Sequence, residues 1–143
     1  YSCKPYYASN TVGRWSALVS FEGFKPEGGA PIYLQIVGYI KRGIVAGTIA
    51  DGDELPSRRM LSALLGVNPN TVQKACRLLE EEGLIVSHAG AKSFVVYDGA
   101  KREALRRELV VEGAAAAALE LKHMGVTLEE AVRLISRAWE EEN

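Results

Sequence analysis

Apolar residues recur at helical spacing from Pro31 to Val45, where Ile32, Ile36, Tyr39, Ile40 and Ile44 fall on one face and predict an amphipathic helix. Gly47 through Gly52 reads as a loop. Two short helices with a tight turn follow over residues 55 to 85. Ser57 can cap the first, which carries Leu61, Leu64 and Leu65, and Gly66 permits the left-handed backbone that ends it. Asn68 and Pro69 open the second, an Asx cap before a proline at the first helical position, where its missing N–H costs nothing. Gly83 ends that helix. Leu84 to His88 and Ser93 to Tyr97 then predict two strands around a turn at Ala89 to Lys92, a hairpin placed as a wing directly after a helix-turn-helix. Ala100 to Met124 predicts one long helix, Gly125 a break, and Thr127 with Glu130 a capping box for a last helix.

The second of the short helices has two chemically distinct sides. Val72, Ala75, Cys76 and Leu79 would face a core, while Asn70, Gln73, Lys74 and Arg77 occupy the other side at the same offsets. Asn and Gln can each bond an adenine edge through two parallel hydrogen bonds, and Arg can do the same to guanine. Thr71 sits in the first turn, where backbone N–H groups and a hydroxyl can meet a phosphate. The plain alternative is a solvated helix face, the default for polar faces. What favours the groove-reading surface is the context of two capped helices and a wing.

That context carries a family resemblance. Leu55-Pro56-Ser57, Arg59, Leu61, Gly66-Val67, Thr71-Val72, Gly83-Leu84-Ile85 and Gly90 with Phe94-Val95 resemble the GntR family of bacterial transcription regulators. Asn68 to Ala75, with Pro31 to Ile36, resembles its YtrA-like branch. The resemblance covers residues 31 to 97 closely and the helical tail more loosely. It implies that Arg59 reaches the DNA backbone or a base, and that Asn68, Asn70, Thr71 and Gln73 sit at the groove. It further implies that the hairpin tip around His88, Gly90 and Lys92 enters the minor groove or lies along phosphates. Two departures stand out. Arg58 replaces the family's usual glutamate after Ser57, adding a positive charge near the DNA. The wing has Ser87, His88 and Ala89 where arginines are usual, and Lys92 where a second glycine is usual, so its phosphate contacts should be weak.

The expected fold class is therefore mainly α: a winged helix-turn-helix of three helices plus a β-hairpin wing, then a short two-helix dimerisation element. Residues 1–30 would be an N-terminal extension, 31–98 the DNA-binding domain and 99–143 the dimerisation tail. Leu128, Ala131, Val132, Leu134, Ile135 and Ala138 give the last helix a broad apolar face, and the small residues Gly113 to Ala118 allow another helix close approach. Two helices cannot bury such faces alone. A homodimer is favoured over folding back onto the winged domain, because two-fold symmetry suits a palindromic operator. In the YtrA-like branch the resemblance gives this tail the same role. In the extension, Arg14 to Phe21 could form a strand, with Pro5 to Ala8 as a partner. The stretch is too short and wrongly flanked for a signal peptide.

Composition narrows the chemistry. The chain has 143 residues, 48% of them hydrophobic, and a formal net charge of −1, which does not advertise a nucleic-acid binder. Locally the picture is more favourable: Lys41, Arg42, Arg58, Arg59, Lys74, Arg77 and Lys92 fall in the winged region, with Asp51, Asp53, Glu54 and Glu80 to Glu82 expected away from the reading face. Cys76 reads as a small buried thiol, Cys3 sits apart in the arm, and His88 and His123 are isolated, so neither a disulfide framework nor a metal site is expected. No apolar run approaches a membrane span, which leads to the expectation of a soluble, cytoplasmic protein. No nucleophile-base pair or phosphate-binding glycine loop appears, so neither catalysis nor a cofactor is expected. Two helices per subunit hardly enclose a ligand pocket, and a small-molecule effector, if there is one, would bind at the dimer interface. Two readings result: a homodimeric repressor on a palindromic operator, or a winged-helix module that holds another protein without binding DNA.

Overall fold

The structure is a computed structural model, and it describes residues 17–88 and 92–142. In chain order it contains α1 (Ile32–Ala46), β1 (Glu54–Leu55), α2 (Arg58–Leu65), α3 (Pro69–Glu81), β2 (Ile85–His88), β3 (Lys92–Val95), α4 (Gly99–His123) and α5 (Leu128–Glu141). The fold is mainly α, as expected, with a winged helix-turn-helix followed by two helices. The chain divides into two compact units, one ending at Leu105 and the other beginning at Arg106.

In the first unit, α1 lies behind α3 and supplies Ile36, Val37, Ile40 and Ile44 to the core, all at most 3% exposed. This is the face that the spacing of its isoleucines predicts. Gly47, at φ 85°, ends α1 by turning its N–H back to the Gly43 carbonyl. Val72, Ala75, Cys76 and Leu79 of α3 pack toward α1, and Leu61 of α2 with Leu55, Ile85, Phe94 and Val95 of the sheet is buried in the same core.

The sheet has three antiparallel strands in the order β1-β3-β2. The hairpin β2–β3 is the expected wing, in a register that sets Ile85 opposite Val95, Ser87 opposite Ser93 and His88 opposite Lys92. The loop before α2 adds the short strand β1, which local patterning does not announce. It exists because Glu54 and Leu55 pair with Phe94 and Ser93, far along the chain.

Residues 17–24 also pack on this unit. Leu18 bridges Glu54 in parallel, with the Val19 N–H donating to the Glu54 carbonyl at 2.8 Å and the Glu54 N–H to that of Ala17 at 2.9 Å. Val19 and Phe21 are buried, and Phe21 stacks on Tyr39 of α1 with ring centroids 5.0 Å apart. The expected strand over Arg14 to Phe21 is thus a single bridge within the described residues. Its proposed partner, Pro5 to Ala8, lies outside them. Asp53 explains how this corner is held: its carboxylate is 2% exposed and accepts the N–H groups of Ala17 and Ala50. A buried carboxylate needs such donors to offset its lost hydration.

The start of α4 belongs to the same unit. Asp98 caps it by accepting the Lys101 N–H, Leu105 is buried, Lys101 Nζ donates to the Gly83 carbonyl and Arg102 to that of Val45. Those carbonyls lie just beyond α3 and in the last turn of α1, where cations complement the helix dipole.

The second unit is a helical hairpin made of the rest of α4 and α5. Gly125, at φ 77°, forms the turn, and the Thr127 hydroxyl accepts the Glu130 N–H at 3.2 Å to cap α5. An apolar groove of about 800 Å³ runs along it, with Val110, Ala117, Leu121, Leu128, Ile135 and Trp139 among its walls. No residue of α5 is buried.

Candidate nucleic-acid interface

The interface is built from two capped helices. The Ser57 hydroxyl accepts the Met60 N–H at 3.1 Å and starts α2. Gly66, at φ 64°, stops it, and the Ser62 hydroxyl donates to the Val67 carbonyl at 2.6 Å to hold the tight turn. Asn68 Oδ1 accepts the Asn70 N–H at 2.8 Å and Pro69 takes the first helical position, so α3 begins where the sequence sets it.

The division of α3 into two sides is as expected. Its inner side is fully packed, with Val72 and Ala75 at 0% exposure. Asn70, Lys74 and Arg77 are exposed, and Thr71 and Gln73 are half-buried beside them. Asn68 and Ser57 are exposed, but an oxygen of each is spent on capping. Arg59 is exposed on α2, and among the described residues neither it nor Arg77 pairs with an acid.

Other members of the predicted set have partners. The Lys74 ammonium lies 4.2 Å from the centroid of the Tyr33 ring, a cation–π contact that ties the outer side of α3 to the first turn of α1. Arg58 does not stand free: its Nη2 donates to Glu80 Oε1 at 2.8 Å, and its Nε is buried without a hydrogen-bond partner. Beneath it, burial pushes the Cys76 thiol above its ordinary pKa of 9.0, while the nearby Arg58 guanidinium pulls the other way. A raised pKa favours the neutral thiol, which fits a packing role. On the wing, His88 is half-buried with its ring 5.6 Å from that of Phe94, and Lys92 is exposed. Gly90 lies outside the described residues.

Sequence reasoning missed Tyr33, Glu80, Ser87 and Ser93 as neighbours of the interface. Tyr33 and Glu80 meet Lys74 and Arg58 from other helices, across separations that periodicity does not reach, whereas the contacts of Ser87 with Glu80 and Ser93 depend on the register of the hairpin. Among the described residues, no group of His, Cys, Asp and Glu side chains could hold a metal ion, and no helix is long and apolar enough to cross a membrane.

Comparison with known proteins gives this geometry its setting. The profile described as "Bacterial regulatory proteins, gntR family" matches residues 32–95, from α1 to the end of β3. The HTH-type transcriptional repressor YtrA of Bacillus subtilis is 40% identical over 70 residues, covering 49% of this chain and 54% of that protein. The chain therefore spans about half the length of that relative. A second B. subtilis protein, the HTH-type transcriptional regulator YhcF, is 32% identical over 100 residues, covering 70% of this chain and 83% of YhcF. Among solved structures, a GntR family transcriptional regulator from Listeria monocytogenes superposes with a TM-score of 0.67 at 32% identity, over 78% of this chain and 98% of that one.

Proposed function

The chain belongs to the GntR family of bacterial transcription regulators, within its YtrA-like branch, and on that premise we propose that it is a homodimeric repressor reading a palindromic operator. The family is one of DNA-binding regulators, not of enzymes. The observation that carries the finer reading is the two-sided α3, packed to exclusion on one side and offering Asn70, Gln73, Lys74 and Arg77 on the other.

In this reading α3 lies in the major groove. Gln73 and Asn70 read adenine edges and Arg77 a guanine edge, because their donor and acceptor pairs match those edges bidentately. Ser57, Arg59 and Thr71 contact phosphates, which fix register without carrying sequence. Lys74 reaches the backbone from above Tyr33, and His88, Gly90 and Lys92 follow the flanking minor groove. Asn68 shapes the approach by holding the first N–H groups of α3, and Arg58 acts from behind it.

The dimer follows from the hairpin of the second unit. Leu128 is 79% exposed and Trp139 73%, on a groove that a second copy's helices would fill. Two copies present two reading helices, which matches the two half-sites of a palindrome. The B. subtilis relative YtrA is a transcriptional repressor, which supports repression as the sign of control. A small-molecule effector, where one acts, has its place at that interface, and the working compartment is the cytoplasm, where bacterial DNA is.

A gel-shift series on the promoter of the protein's own operon, at several salt concentrations, tests this. Specific retention with a steep fall in affinity as salt rises is the expected result. Retention that is unchanged by Arg59→Ala and Gln73→Ala would overturn the reading face and leave the protein-interaction alternative.

A further inference from the structure

Arg58, Glu80 and Ser87, from α2, α3 and β2, meet at the Glu80 carboxylate, and Ser93 of β3 joins them through Ser87. Glu80 Oε1 accepts from Arg58 Nη2 at 2.8 Å and from the Ser87 hydroxyl at 3.0 Å. The Ser87 hydroxyl also lies 3.0 Å from that of Ser93, its cross-strand partner, and 3.5 Å from Arg58 Nη2.

The location of this cluster gives it a consequence. Ile85 and Val95 anchor the base of the wing in the core, both nearly fully buried. Further out, Phe94 is the last core residue of β3, held also by its pairing with β1, and Ser87 on β2 is exposed. The ladder between β2 and β3 holds the strands to each other, but it says nothing about their angle to α3. A polar tie from the last turn of α3 to Ser87 of β2, and through it to Ser93 of β3, adds a direct restraint on that angle to the packing of the wing's base. Ser93, at 7% exposure, is the least accessible member, so the tie is shielded on one side.

We propose that Arg58 and Glu80 are positioning residues for DNA recognition, which set the wing against α3 through Ser87 and Ser93 so that both engage the duplex in one register. The proposal rests on the reading that α3 enters the groove. Arg58 then spends its charge on Glu80 and not on a phosphate, and the thin wing, short of arginines, is compensated by being held in place.

The test is hydroxyl-radical footprinting of the full chain on a duplex selected from a random pool, with thermal melting as a control for folding. Glu80→Gln keeps the shape of the side chain and removes its charge. It is expected to keep protection of the tract facing α3 and lose protection of the wing's flank. The slope of log affinity against log salt should become shallower by about one for each phosphate contact given up. The exchanged pair Arg58→Glu with Glu80→Arg is expected to restore the flank. The proposal is overturned if Glu80→Gln leaves flank and slope as in the wild type, or weakens both tracts alike. It is also overturned if Arg58→Ala makes the slope shallower while the wing's flank stays protected, which would make Arg58 a direct phosphate contact. A wild-type protein that protects no duplex would instead defeat the groove reading itself.

Discussion

Gly83 is the residue through which the reading helix passes into the wing. It holds φ at 70°, a region closed to most side chains, and its carbonyl accepts Lys101 Nζ at 2.8 Å. A Cβ there would meet the Lys101 ammonium. Gly83→Ala is expected to lower the unfolding free energy by about 1–2 kcal/mol, read as a shift of the urea midpoint. Cys76 makes a second point at this scale. Burial raises its pKa, so the folded state prefers the neutral thiol. The resulting stability is complete below the unfolded value near 9.0 and is lost as pH rises through the higher folded one. Tyr97, also raised by burial, adds to the loss from its ordinary 10.0 upward. The unfolding free energy of Cys76→Ala should therefore fall less steeply above pH 9.0 than that of the wild type, measured by urea unfolding along a pH series.

At the scale of elements, α2 and α3 were legible because their signals are local. Ser57, Gly66, Asn68 and Pro69 each act within a few residues, and the structure shows the hydroxyl, amide and left-handed turn performing those roles. β1 was not legible. Two residues have no period, and their strand exists only through pairing with Phe94 and Ser93. The same limit hid the Arg58–Glu80 tie, since residues from separate helices meet only after folding. The charge at Arg58 is visible in the sequence, but its neutralisation is not. Replacing Gln73 or Arg77 by Ala should each cost about 1–3 kcal/mol on the preferred duplex and relax discrimination at one base pair, measured by fluorescence anisotropy. Arg59→Ala should weaken binding evenly across sequences and reduce the salt slope by about one.

For the whole molecule, the proposal turns on valency. A net charge of −1 gives little nonspecific attraction, so useful affinity must come from two reading helices acting together. Ile135 is 45% exposed on the groove of the hairpin, so Ile135→Glu would place a charge where the second copy is proposed to pack. This variant should sediment as a monomer and lose operator affinity by on the order of a hundredfold, while each winged domain keeps its melting behaviour. The apolar face of α5 was legible in the periodicity of residues 128–138. The groove along the hairpin was not, because it depends on how two helices fold back at Gly125.

Selection of duplexes from a random pool, followed by affinity measurement on the enriched sequence, bears most directly on the claim that the outer side of α3 reads DNA. The account predicts enrichment of a two-fold symmetric site whose preference is relaxed by Gln73→Ala and Arg77→Ala. A pool that yields no preferred sequence, or one bound equally well by both variants, would contradict it.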